Sequence, residues 1–476
     1  MSRFFTGFFI IFIIVLNILR FYSLDSIPHG YHVDEYAAAV SMQCLAHEGT
    51  GPWGKKDNIF LQQGFGTPKP PTYTFPALLW TKVFGYKVAS LRAFSVFAIV
   101  VGVLGLFILG NMIGGFKAGL WTALAASVSP WSWVLGRLAF ESFFAPVCIV
   151  WGLWFFSKAR GRWKDGWAGL CFCASAYFYP PARAFIPLFL ISLCAYEILI
   201  SRRPHRWWLL IAALMIPAIP LIKAQLAGEL SFRLNEVVIW DHGYLASIGR
   251  SGNILDLCQV FLNNYLKHLD PRFLFLKGDP DFSHSTQNIG LLSWLDIAAW
   301  GILAIGLLCW KVESVREVNP WRIYGKWLGA SWFCFLLGIV PSALTHLDVP
   351  NALRMCLAWP FLCLITGLTI SCVSQRFVLV TFLMGSLLLG DTVLFINDYF
   401  RYYPERSKGM FSYWIYDEAQ TLKTPQQWLN FLVKYHVQDY HERYFLMNNL
   451  GQGCAQSYEA WKNIGVIIDR LNLKNR

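Results

Sequence analysis

Charge is what this sequence has least of: Asp, Glu, Lys and Arg together make up 14% of its 476 residues, and Asp and Glu number only 28. Soluble domains of ordinary composition carry about a quarter charged residues, so a soluble globular chain is excluded. Other things are missing too. No Asn-x-Ser/Thr sequon occurs, which is consistent with a bacterial inner membrane, and no Gly-rich phosphate loop follows a strand-like run, which argues against a bound nucleotide. There is no internal repeat and no low-complexity tract. Of twelve cysteines, most lie in apolar runs as small hydrophobic residues, leaving Cys44, Cys258 and Cys454 in polar segments. Three cannot all pair, so no disulfide framework is expected.

What is abundant is apolar: 56% of residues are hydrophobic and 17% aromatic. Crossing hydrocarbon takes about 20 mostly apolar residues. Eleven such runs are predicted, near 4–20, 88–110, 117–135, 142–157, 166–180, 184–200, 207–222, 289–310, 327–344, 355–373 and 377–396. The first is read as an uncleaved helix, because no small-residue cleavage pattern follows it. With the N-terminus cytoplasmic, the short inner loops hold fourteen Lys and Arg, while the short outer loops hold only Arg137, Arg183 and Arg354. The net charge of +12 is therefore read as topology and attraction to anionic lipid headgroups, not as nucleic-acid binding. Three long segments share the outer face: 21–87, 223–288 and the tail from 397 to 476, where "TPQQWLNFLVKYHVQDYHERYFLMNNL" suggests a small α/β region.

Chemistry-bearing residues gather on that outer face. They are "HVDEY" with His32, Asp34 and Glu35; "KPP" with Lys69; "SPWSWVLGRLAFES" with Arg137 and Glu141; "YFYPPAR" with Tyr179 and Arg183; "LKGDPDFSHS" with Asp279 and His284; and "DVPNALR" with Arg354. Each short outer loop places its only cation at a membrane boundary, against the orientation rule, which points to a bound anion at headgroup level. A guanidinium grips phosphate through paired hydrogen bonds and stabilises it as a leaving group. Carboxylates beside a cationic phosphate cradle suit attack by a hydroxyl on the sugar carbon of a lipid-phosphate-linked sugar, one carboxylate taking the proton.

Taken in order, these motifs resemble the C-type (GT-C) integral-membrane glycosyltransferases, in the bacterial branch similar to dolichyl-phosphate-mannose-protein mannosyltransferases and the aminoarabinose transferase of lipid A. The resemblance covers about residues 5–400. It implies an all-α polytopic fold of about eleven transmembrane helices, with a GT-C domain over 1–396 and an extracytoplasmic C-terminal region over 397–476. It implies Asp34 as catalytic base, with Glu35 and Glu141 as its acidic partners. Lys69, Arg137, Arg183 and Arg354 would hold the donor phosphate, and His32, Tyr179, Asp279 and His284 would contact substrate. The position before Ser283 and His284 is Phe282, where bacterial members often carry Arg. The implied partners are a polyprenyl-phosphate-linked sugar, an acceptor on glycan, lipid or protein, and membrane lipids. No cofactor is assigned; Asp34, Glu35, Glu141 and His284 could together hold a divalent metal, though their spacing is no ligand signature.

Simpler readings stand beside these. Lys69 can cap a turn between prolines, Arg92 can snorkel to headgroups, Glu141 can pair with Arg137 one turn away, and Trp131 and Trp133 can belong to an interfacial belt. On an extended loop the side chains of Asp34 and Glu35 would point apart. Asp296, near the outer end of its run, could reach the cavity. A flippase would also show many spans and buried charge, but transporters place functional ions near the midplane, often in repeated halves. An O-antigen-type polymerase or ligase is the nearer rival.

Overall fold

The structure, a computed structural model, describes residues 3–53, 71–157, 163–198, 207–230, 232–312 and 317–424, with a few positions up to 459. Among the described residues there is no strand; a single antiparallel bridge joins Val238 and Thr345. The helices are α1 (Arg3–Leu19), α2 (Val33–Glu48), α3 (Pro71–Phe84), α4 (Val88–Val128), α5 (Pro130–Gly136), α6 (Phe144–Ser157), α7 (Lys164–Phe178), α8 (Pro180–Tyr196), α9 (Trp207–Leu226), α10 (Phe232–Val237) and α11 (His242–Ser247). They continue as α12 (Ile254–Lys267), α13 (Trp294–Leu308), α14 (Pro320–Leu337), α15 (Val340–Ala343), α16 (Trp359–Ser374), α17 (Val378–Asn397), α18 (Tyr403–Ser407) and α19 (Tyr413–Thr421).

Each apolar run contains a helix. Among the described residues, five helical segments are long and apolar enough to cross a membrane, and four shorter apolar helices accompany them. The 41-residue α4 covers two of the runs, because Gly115 breaks it at φ 77°, ψ −179°, a conformation open to glycine and strained for other residues. The limbs on either side fold back on each other: a Cβ on Gly119 would lie 2.6 Å from the carbonyl oxygen of Phe107. Small residues thus let two helices approach at backbone distance, as membrane helices do where hydrophobic burial cannot drive association. α16 packs on the second limb equally closely, since a Cβ on Gly367 would meet the backbone nitrogen of Thr122 at 2.5 Å. It is the central helix, 94% of its apolar stretch being covered by protein.

The segment containing "HVDEY" is helical, not an extended loop. The cysteine expectation is also corrected: Cys44 of α2 and Cys454 of the tail form a disulfide across 410 residues of sequence, leaving Cys258 exposed and free. Spacing could not reveal a pair so distant. The bridge, with the His29–Asp417 contact at 3.1 Å, ties the C-terminal region to the first long loop. The small α/β region expected at "TPQQWLNFLVKYHVQDYHERYFLMNNL" falls mostly outside the described residues.

Candidate active site

The site is built from the N-terminus of α2. His32 is the N-cap: its Nδ1 accepts from the backbone N–H of Asp34 at 3.2 Å, while Oε2 of Glu35 accepts from the N–H of His32 at 2.9 Å, closing a reciprocal capping box. Both acids thereby sit in the first helical turn, where the helix dipole favours negative charge. Successive residues on a helix are turned by about 100°, and this step, not an extended backbone, separates the two acids. Asp34 faces outward with 53% of its side chain exposed, while Glu35 is wholly buried.

Glu35 is held by Arg92, whose Nε and Nη2 donate to its two carboxylate oxygens at 2.7 and 2.6 Å. The remaining donors of Arg92 go to the carbonyls of Leu24, Pro28 and Gly30, and Oε1 of Glu35 also accepts from the amide of Ala139 at 2.9 Å. Arg92 neither snorkels nor faces a cavity. It fastens the first loop, α2 and the segment after α5 to one buried carboxylate, and Glu35 has both oxygens engaged, so neither is available to a metal ion.

Arg137 also differs from expectation. Its guanidinium is fully buried and donates to the carbonyls of Arg20, Tyr22 and Ile27 and to the Tyr399 hydroxyl at 2.6–3.1 Å. A side chain so engaged has no face for a headgroup phosphate, and its guanidinium leaves Glu141 for these carbonyls. Beside it Arg20 donates to the carbonyls of Ser127 and Ser132 and lies over the Trp133 ring, 4.6 Å from its centroid. Trp131 and Trp133 are accordingly interior residues, their indole N–H groups donating to Ala352 and Ser127, and do not form an interfacial belt.

A second group stands on the large loop. Asp279, 1% exposed, accepts from the amides of Asp281 and Ala352 at 2.8 and 2.6 Å and from Nδ1 of His284 at 3.2 Å. Burial alone would lower the pKa of His284, but its hydrogen bond to Asp279 and the charges of Asp279 and Asp281 outweigh it and raise the value. Next door, His268 accepts at Nε2 from the amide of Asn351 at 3.1 Å and bonds the Ser342 hydroxyl, with Nδ1 on the Asn264 carbonyl; burial pushes its pKa down to about 4. Two consecutive amides, of Asn351 and Ala352, are thus pinned by His268 and Asp279. Arg354 follows at the end of this loop, donating to Thr345 Oγ1 at 3.0 Å and to the Leu347 carbonyl.

Arg183 caps the end of α7 through the Ala176 carbonyl at 3.2 Å, and Tyr179 is the N-cap position of α8. Lys69 lies outside the described residues. Asp296 is structural, capping α13 through Ser293 and accepting from Thr366 at 2.5 Å. The two groups of site residues share one end of the bundle: Trp131 of α5 holds Ala352, and the Tyr403 hydroxyl donates to the Phe282 carbonyl while neighbouring Tyr399 holds Arg137. Sequence reasoning missed Tyr73. It is buried, its hydroxyl has no hydrogen-bond partner, and burial together with the charges of Glu141 and Glu35 raises its pKa. Its position four residues after Lys69 in "KPPTY" was the available signal. An apolar groove of about 660 Å³ lined by Leu109, Leu153, Phe189 and Cys334 lies elsewhere, at the far end of the first limb of α4 from Arg92, beside the Gly115 break.

No protein-family model matches the chain, and no curated protein matches it in sequence. Solved structures do. ArnT from Cupriavidus metallidurans bound to undecaprenyl phosphate superposes with a TM-score of 0.57 at 12% identity, covering 96% of this chain and 88% of that one. The chain has the GT-C fold. The apo state of the same ArnT matches with a TM-score of 0.49 at 13% identity over 97% and 75% of the two chains. The Archaeoglobus fulgidus oligosaccharyltransferase tethered with an acceptor peptide gives a TM-score of 0.49 at 12% identity, over 94% of this chain and 59% of that one. The GT-C fold agrees with the architecture expected from the motifs; function has to be argued from the site.

Proposed function

We propose that this protein transfers a sugar from a polyprenyl-phosphate-linked donor to an acceptor hydroxyl on the extracytoplasmic face of a bacterial inner membrane, with inversion. The observation that carries the reading is the outward carboxylate of Asp34, set on a helix whose N-terminus is anchored by the buried Glu35–Arg92 pair, at the same end of the bundle as His284 and Arg354. Asp34 takes the proton of the acceptor hydroxyl as that oxygen attacks the anomeric carbon. The bond from that carbon to the phosphate oxygen breaks, and the lipid phosphate leaves with the electron pair. Arg354, Arg183 and Lys69 supply positive charge for it, and His284, held by Asp279, contacts the substrate beside them. Tyr73, with a free hydroxyl near both Glu35 and Glu141, supplies a hydrogen bond to the sugar or acceptor. Neighbouring folds support the donor class: ArnT was solved with undecaprenyl phosphate.

The test is transfer from synthetic polyprenyl-phosphate sugars by the purified protein, followed by anomeric analysis. Product of inverted configuration that depends on Asp34 supports the reading. Release of sugar on the opposite face without a new glycosidic bond contradicts it.

A further inference from the structure

α12 lies in the large loop between α9 and α13, and its surface has three sectors. Asp256, Val260 and Asn264 are buried against the protein. Gln259, Asn263 and Lys267 form an exposed polar strip. Between them runs an exposed apolar stripe of Ile254, Leu255, Leu262 and Leu266, from 55% to 73% exposed, with Cys258 in the same line. At 100° per residue these five positions fall within about 120° of arc. α12 reaches about 21 Å and is interrupted by Asp256, Gln259, Asn263, Asn264 and Lys267, so unlike the equally short but wholly apolar α6 it is not a span.

Its depth is fixed by two contacts. The Tyr265 hydroxyl donates to the carbonyl of Leu336, in the last turn of α14, at 2.9 Å, and Nδ2 of Asn264 donates to the Thr345 carbonyl at 2.8 Å. α12 therefore sits where the segment Pro320–Ala343 leaves the membrane, and its stripe continues the apolar surface that α14 presents through Phe333 and Leu336. Just beyond it, exposed Leu276 is flanked by exposed Arg272 and Lys277. An apolar stripe at this level with cations beside it matches the chemistry of a bilayer interface.

We propose that α12 is an interfacial helix whose Ile254, Leu255, Cys258, Leu262 and Leu266 face lies in the headgroup–acyl boundary of the leaflet on the site's side, its occupant being phospholipid. Its inner face holds Thr345 through Asn264 and, just past its end, Asn351 through His268. Lipid contact on one side of α12 thus sets the height of the Arg354 loop on the other. This last link rests on the proposed function; the docking itself does not.

The experiment places a photoreactive benzoylphenylalanine at Leu262 or at Asn263 in the full chain, reconstituted in nanodiscs of phosphatidylethanolamine and phosphatidylglycerol. Irradiation is expected to give phospholipid adducts, read by intact mass, at position 262 and at least five-fold fewer at 263. Equal adducts at both positions, none at 262, or a cross-link from 262 to a second copy of the chain overturns the proposal. A second arm compares Leu262→Asp with Asn263→Asp at matched membrane levels. Leu262→Asp is expected to raise the apparent KM for a polyprenyl-phosphate donor several-fold with kcat within two-fold, and Asn263→Asp to leave both unchanged. Identical kinetics for the two variants overturns the link to the Arg354 loop, whereas a parent chain inactive toward such donors counts against the proposed function and leaves the adduct result decisive for docking.

Discussion

Glu35 and Arg92 meet in a two-pronged pair, at 2.7 and 2.6 Å, with neither side chain exposed. Removing one partner of a buried pair strands the other charge away from water, a loss of about 3–5 kcal/mol. Arg92→Ala should therefore sharply lower the thermal unfolding midpoint of the purified protein. Asp34→Asn, at an exposed carboxylate, should leave that midpoint within a degree or two. Equal midpoints for Arg92→Ala and the parent would remove Glu35 and Arg92 as the anchor of α2.

The bridge between Cys44 and Cys454 requires the tail and the first long loop to share an oxidising compartment. Non-reduced digestion should yield a peptide pair containing both cysteines, and a reporter fused after Arg476 should be active only outside the cytoplasm. Cys44→Ser should lose roughly 2–4 kcal/mol of stability, the usual contribution of a bridge closing a long loop. A free thiol at Cys454 in the isolated native protein contradicts this arrangement.

His268 gives a pH dependence with a definite sign. Its folded pKa of about 4 lies below the ordinary histidine value of about 6.5, so the unfolded chain binds the proton more readily. The stability that neutral His268 contributes is complete above about pH 6.5 and is lost as pH falls from there toward 4. The protection factor of the Asn351 amide, its exchange corrected for the intrinsic pH dependence, should fall as pH drops through that window, and His268→Ala should show low protection at every pH. A protection factor independent of both pH and the substitution would show that His268 does not hold this loop.

The architecture was legible because apolar runs long enough to cross a bilayer leave little choice of structure: each of the eleven contains a helix. The gathering of acids and cations at one end was legible from charge bias between loops. What each charge does there was not. Arg92, Arg137 and Arg20 look alike in sequence to cations facing a headgroup, and only the fold shows that their donors are taken by carbonyls and a carboxylate. Trp131 and Trp133 read as belt residues because their indole partners, on Ala352 and Ser127, are set by tertiary packing. Asp34 and Glu35 were expected to diverge, and they do, through a capped helix that "HVDE" encodes by His at the N-cap and Glu three residues on. His268 and the Cys44–Cys454 bridge depend on contacts between segments far apart in sequence and carry no local signature.

Asp34 is the residue on which the proposed reaction turns. The decisive measurement is the turnover of Asp34→Asn with a purified polyprenyl-phosphate sugar and an acceptor that the parent protein uses, at matched membrane levels. Asparagine keeps the size and the place in the first turn of α2 but cannot take a proton, so turnover should fall on the order of 10²–10⁴-fold while donor binding and the unfolding midpoint stay at parental values. Turnover equal to the parent's would contradict the assignment of Asp34 as the base.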